Sequence, residues 1–191
     1  VSHKRATYAS DLSEKEWHYL SKVLPQQGSG AGRPMELEMR EVLNAILYVT
    51  RTGCQWANLP HDFPNYNSVY YHYRKWCRDG TWQRLNRHLC WLERQQRGRC
   101  PYPSAAIIDS QSVKTTESGG PCGYDAGKKV KGRIRHILVD TVGNLLEVVV
   151  HAADIQDRDG AKLLLNKLNT LFKQWLQLVW TDGAYRGQLL T

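Results

Sequence analysis

Two aspartates each stand at the end of a short apolar run, Asp109 in IIDSQ and Asp182 in VWTDG. If the runs are neighbouring parallel strands, both carboxylates emerge at one edge of a sheet. Like charges that close repel, and a cation between them removes the repulsion. Hard carboxylate oxygens favour Mg²⁺, with Mn²⁺ as a substitute. Ions held in this way can activate a water or a 3′-hydroxyl and stabilise the leaving oxygen of a phosphoryl transfer. The same two residues also read as ordinary strand-end aspartates that cap turns, and spacing alone leaves both readings open.

The next chemically informative feature is cationic. Lys128, Lys129, Lys131, Arg133 and Arg135 form a run with no acid inside it. They follow Asp109 closely enough in sequence to hold a nucleic-acid backbone beside it, although a solvated face is the plainer reading. CGYDAGKK (122–129) ends like a phosphate loop but has Cys122 where glycine is required and Lys129 where Ser or Thr is required, so P-loop nucleotide binding is excluded. The five cysteines are odd in number and contain no C-x-x-C. With no secretion signal at the start, they read as reduced thiols of a cytoplasmic protein. No apolar stretch approaches the roughly 18 residues of a membrane span.

The chain has 191 residues and a net charge of +8, enough for one or two domains and suggestive of a polyanionic partner. The charge is uneven: residues 1–100 hold 15 Lys and Arg against 9 Asp and Glu, whereas residues 101–191 hold 11 against 9. The first half reads as helical. Ser13 and Glu16 form a capping box before Trp17, Leu20, Val23 and Leu24. QQGSGAGRP (26–34) is a loop. Met39, Val42, Leu43, Ile46 and Leu47 make one apolar helix face, stopped at Gly53. Asn67 or Ser68 caps a helix running to Arg78, with Val69, Tyr73, Trp76 and Cys77 inward and Tyr70, Tyr71, His72, Arg74, Lys75 and Arg78 outward. Asp79-Gly80-Thr81 starts a fourth helix striped by Trp82, Leu85, Leu89 and Leu92, with Arg84, Arg87 and Arg94 off the stripe. A basic-aromatic helix after a longer apolar one is what a helix-turn-helix needs, although a helical bundle with a basic outer face has the same pattern.

Past Pro103 the pattern becomes α/β. A short strand over Ala105–Ile108 precedes a polar, Gly-rich loop. Ile134–Val139 and Leu145–His151 form a hairpin around Asp140–Asn144. Asp157 caps a helix over Arg158–Trp175, with Leu163, Leu164, Leu168, Leu171, Phe172 and Trp175 inward. A last strand, Leu178–Trp180, precedes Asp182.

These strings together resemble the DDE transposases of bacterial insertion sequences, in the group numbered four and five. LSEKEWHYLSKVLP, GRP, REVLNAILYVTRTGCQWANLP and SVYYHYRKW are similar to that family's N-terminal helical domain. IIDSQSVKTTE, GYDAGKKVKGR, RHILVDTVGNLLEVVVHAADIQDRDGAKLLL and WTDGAYRG are similar to the start of its ribonuclease H-like catalytic domain. The resemblance implies a helical, helix-turn-helix-like DNA-binding domain over 1–100. A partial ribonuclease H-like mixed sheet over 101–191 would follow it.

It also implies catalytic metal ligands at Asp109 and Asp182, Mg²⁺ as cofactor, and double-stranded DNA (terminal inverted repeats and target) as partner. A homo-oligomeric synapse and a place at the bacterial nucleoid follow as well. Tyr71, Arg74, Lys75 and Arg78 would contact the inverted repeats. Lys114, Lys128, Lys129, Lys131, Arg133 and Arg135 would hold DNA near the metals.

The family's third acid is a glutamate on a helix beyond the second aspartate. No Glu follows Asp182 here, and the last one is Glu147. Its Tyr-Arg-Glu-Lys signature is absent, and Cys122 and Ile134 stand where basic residues are expected. The expectation is therefore a catalytically incomplete transposase segment. The alternative is a non-catalytic DNA-binding regulator or inhibitor of transposition.

Overall fold

A computed structural model describes residues 5–25, 37–115, 119–168 and 170–182. The loop expected over 26–34 and the side chain of Leu171 lie outside them. Contacts divide the chain into two units between Leu85 and Asn86, inside the helix Thr81–Gln96, rather than at residue 100.

In the first unit, α1 (Glu14–Leu20) starts on the capping box: Ser13 Oγ accepts from the Glu16 amide, and the Glu16 carboxylate accepts from the Ser13 amide at 2.8 Å. Helix α2 (Met39–Thr52) buries Val42, Leu43, Ala45, Ile46 and Val49, and ends at Gly53 with φ 70, a left-handed conformation that favours glycine. A 3₁₀ turn over Trp56–Asn58 leads to α3 (Tyr66–Arg78). The cap of α3 is Asn65, whose side chain accepts from the Asn67 amide at 2.9 Å, so the helix begins earlier than its expected caps at Asn67 or Ser68. Its inward line is Val69, His72 and Trp76, while Cys77 is exposed. The line steps by three and four residues, so the helical period places His72, not Cys77, under the core. Arg5 ties the N-terminal segment to this unit. It bonds Asp11 at 2.7 Å and Glu41 at 2.6 Å, and its guanidinium lies 4.2 Å from the Phe63 ring centre.

Helix α4 (Thr81–Gln96) carries the division between the units. In its second half Leu89 is exposed, whereas Cys90 and Arg94 are buried. Asn86 and Cys90 both donate to the Leu145 carbonyl, and Arg94 donates to Asp140. The helix faces polar groups of a hairpin turn, so its inward line is polar and the expected Leu stripe does not continue.

The second unit is a five-stranded mixed sheet, ordered β2-β3-β1-β5 with β4 also on β3. Strand β1 (Ala105–Lys114) is longer than expected, extending into the polar stretch after Asp109. It pairs antiparallel with β3 (Val130–Asp140) and parallel with β5 (Leu178–Trp180). The outer edge of β3 is shared by β2 (Gly123–Asp125) and β4 (Leu145–Ala152), both antiparallel. The hairpin forms at Asp140–Asn144, with Gly143 at φ 94.

One face of the sheet is covered. Ala106, Ile108, Leu138 and Leu146 pack with Ala161, Leu164, Leu168 and Phe172 from α5 (Asp157–Lys167) and α6 (Thr170–Trp175) and the junction between them. The single helix expected over 158–175 is broken at Leu168, which turns to extended backbone (φ −56, ψ 135) while its side chain stays in the core. Leu163 and Trp175, expected inward, are exposed. Gly160 lies so close beneath His136 and His151 that a Cβ there would strike both rings.

Candidate functional site

Alternation along β1 decides where Asp109 points. Ala106 and Ile108 are buried, whereas Ile107 and Asp109 are exposed on the uncovered face, as a period of two requires. Asp109 lies within the strand, not just past it, and pairs with Ile137. One carboxylate oxygen accepts from the Ser110 amide at 2.7 Å. The parallel pairing of β1 with β5 runs Ala105↔Leu178, Ala106↔Val179, Ile107↔Trp180. The pairing ends there, with Asp182 two residues past β5; carried two residues further, the same register would set Asp109 level with Asp182. Asp182 is exposed.

Asp109 is exposed on β1, and Asp182 is exposed two residues past the end of the neighbouring parallel strand β5. Their carboxyl groups are hard-oxygen donors of the kind that fits Mg²⁺, which binds through one or two carboxylates and keeps several waters. Among the described residues no group of three His, Cys, Asp or Glu side chains forms a metal cage. Glu147 does not extend the pair. It lies on β4 opposite the core residue Leu138 and bonds Lys167 at 3.2 Å.

The basic run of residues 128–135 does not form one patch. Lys131, Arg133 and Arg135 alternate along β3 with the buried Gly132 and Ile134. They therefore share the uncovered face with Ile137 and its partner Asp109. Arg135 stands opposite Gln111, one step diagonal from Asp109. The Arg133 guanidinium is already engaged, donating to the carbonyls of Pro121 and Gly119. Lys128 belongs to the other side: its ammonium donates to Ser110 Oγ at 3.2 Å and lies 3.9 Å from Asp157 at the start of α5. Lys129 sits in the turn before β3 at φ 52. That turn is held by Asp125, which accepts from the Lys128 amide at 2.9 Å and from Ser112 Oγ at 3.0 Å. These bonds, the Lys128 amide foremost, keep its carboxyl below the usual range. Lys114 is exposed at the end of β1, opposite Gly132 and in alternation with the covered-face residues. Ile134, which departs from the basic residue the resemblance implies, is a core residue.

Beneath the covered face lies an array that sequence reading missed. His151 Nδ1 donates to the Ala152 carbonyl at 2.7 Å, which leaves Nε2 as the acceptor facing His136 Nδ1 at 2.9 Å. His136 Nε2 is 3.4 Å from Asp157. Burial pushes the His136 imidazole down, His151 adds to this, and Asp157 opposes it. The available signal was the parity of His136 with Ile134 and Leu138 on β3, together with Gly160 inside a helix.

In the first unit, Tyr71, Arg74, Lys75 and Arg78 are all exposed on α3. Arg74 donates to the Tyr70 hydroxyl at 3.3 Å, and Tyr70 packs on Trp56 with ring centres 5.3 Å apart. Arg94 belongs to no outer face, being paired with Asp140 inside the second unit. Among the described residues no helix is long and apolar enough to cross a membrane.

Residues 12–86 match the family described as a putative transposase of the IS4/5 family. Residues 102–190 match the transposase DDE domain. No curated protein and no solved structure matches the chain.

Proposed function

The chain belongs to the DDE transposases of the IS4/5 type, and from that premise we propose that its sheet unit carries two acidic ligands of a phosphoryl-transfer site and its helical unit binds DNA. The observation that supports the reading is the parallel register of β1 and β5 through Ile107↔Trp180, which, extended two residues along both segments, would set Asp109 level with Asp182. Mg²⁺ or Mn²⁺ bound there would polarise a phosphate oxygen and lower the pKa of a water or 3′-hydroxyl.

The role of Asp109 and Asp182 is to hold charge and geometry at the uncovered face. The Ser110 amide fixes one Asp109 oxygen, so the carboxylate needs little reorganisation to serve as a ligand. Lys131 and Arg135, on the same face, are suited to hold phosphates of a duplex laid across it. Lys114, Lys128 and Lys129 would meet DNA only beyond that face, at the strand ends and the 125–129 turn. The reaction would be cleavage at the ends of an insertion sequence and transfer of the freed 3′-hydroxyl to target DNA, in a homo-oligomeric synapse at the nucleoid. No glutamate follows Asp182 in the sequence. The aspartate pair would supply two of the three acids that the family resemblance implies.

The test is cleavage of duplexes carrying element ends by the purified chain with Mg²⁺. Cutting that is lost in Asp109→Asn and Asp182→Asn supports the complete reaction. End-specific binding without cutting supports a second reading, a non-catalytic regulator that occupies the ends. That reading is favoured by the exposed, acid-free face of α3, which lies in a unit separate from the aspartate pair.

A further inference from the structure

We propose that the exposed face of α3 divides its contacts along its length: Asn67 and Tyr71 read base edges in the major groove, and Arg74, Lys75 and Arg78 hold the flanking phosphates. This rests on the reading that the helical unit binds duplex DNA. Burial of Val69, His72 and Trp76 fixes the rotation of the helix. Asn67, Tyr71, Arg74, Lys75 and Arg78 then fall at i, i+4, i+7, i+8 and i+11, and all are exposed, so they form one continuous face.

That face changes chemistry midway. Its first half carries no charge, and every cation lies from Arg74 onward. Phosphate contacts position a protein but carry no sequence information, whereas base edges are read by groups offering directed donors and acceptors. Asn67 offers both in one plane, the pairing that matches adenine N6 and N7. Its backbone amide is already satisfied by Asn65. Among the described residues its side-chain amide has no hydrogen-bond partner. Tyr71, 55 % exposed, lies one turn on and supplies a hydroxyl and an apolar ring edge suited to a thymine methyl. In a helix-turn-helix, too, the leading residues of the recognition helix meet the bases. Tyr70 is excluded from reading, because Trp56 and Arg74 hold it.

The test is selection of duplexes from a randomised library by the full chain, followed by salt titration on the selected duplex. The wild type is expected to select a motif. Asn67→Ala should relax one adenine position by roughly ten-fold or more, and Tyr71→Phe should relax a neighbouring position. Both keep their helix content by circular dichroism. Arg78→Ala should select the same motif, bind every duplex more weakly, and lower the log–log salt slope by about one. Selection of an unchanged motif, with unchanged discrimination, by both Asn67→Ala and Tyr71→Phe overturns the division while leaving DNA binding intact. A wild type that selects no motif overturns the DNA-end reading itself and this inference with it.

Discussion

Arg94 Nη1 donates to Asp140 Oδ2 at 2.7 Å, with both side chains almost wholly buried. The two residues stand 46 apart in sequence, yet they join the end of α4 to the β3–β4 turn. Arg94 also donates to the Cys100 carbonyl, while Asp140 accepts from the Val142 and Asn144 amides. One carboxylate therefore organises the hairpin turn and the helix that leads into the sheet unit.

Removing one partner strands the other charge in the core. Arg94→Ala should cost about 3–5 kcal/mol, read as a lower denaturant midpoint for the sheet unit. Burial by itself would raise the Asp140 carboxyl. The Arg94 guanidinium and the Asn144 and Val142 amides outweigh it and hold the group below its usual 3.8. A depressed carboxyl contributes stability above its unfolded pKa and loses it as pH falls through the folded one. The wild type should thus lose stability below about pH 4, and Arg94→Ala should lose less over that range.

Arg5 makes a sharper case for geometry than for charge. Its Nη1 and Nη2 bond both oxygens of Asp11, while Nε and Nη2 bond Glu41, and the planar group lies over Phe63. A lysine keeps the charge but not the fork or the stacking. Arg5→Lys is therefore expected to recover less than half of the loss in Arg5→Ala, itself about 1–3 kcal/mol. Thermal unfolding of the two variants side by side reads the difference.

The contrast between these residues explains what the sequence made legible. Ser13 with Glu16, the apolar stripe of α2 and the turn at Asp140–Asn144 are local devices, written within a few residues, and the structure carries each of them as expected. Arg94 reads only as a residue off the apolar stripe of its helix, because its partner Asp140 lies across the fold, where no local pattern reaches. The same holds for His136 and Gly160, whose meaning depends on α5 packing over β3. Asp109 and Asp182 read as strand-end carboxyls, but whether they could share a level depends on a parallel register that spacing cannot give. The basic run of 128–135 reads as one feature because sequence order hides both the alternation of β3, which puts Lys131 and Arg135 on one face, and the preceding turn, which carries Lys128 to Ser110 and Asp157 on the other.

The histidine array predicts acid sensitivity at a milder pH. His136 faces His151 from β4, Asp157 from α5 and, beyond it, Lys128 from the preceding turn. Burial pushes its imidazole below the ordinary 6.5, so the folded state favours the neutral ring. The contribution is present above 6.5 and lost as pH falls below it. Melting temperature should fall between pH 7 and 5 in the wild type and stay flatter in His136→Gln. An equal slope in both would assign the sensitivity to other groups. Gly160→Ala, which forces a methyl against both rings, should cost about 1–3 kcal/mol throughout.

Divalent-ion binding separates the aspartate pair from the other acids of the sheet unit. Asp109 and Asp182 are exposed, and the β1–β5 register, extended two residues past Trp180, would bring them level. Glu147 is committed to Lys167, and Asp125 to the Lys128 amide and Ser112. Paramagnetic Mn²⁺ reports occupancy directly, without requiring DNA cleavage. If the pair is the site, Asp109→Asn and Asp182→Asn should each weaken Mn²⁺ binding roughly ten-fold or more, because each removes one of very few charged ligands. The double variant should then add little, because the second aspartate alone already binds poorly. Glu147→Gln should leave affinity unchanged. Equal weakening by Glu147→Gln would move the ion to the covered side of the sheet and remove the basis for a phosphoryl-transfer site at Asp109.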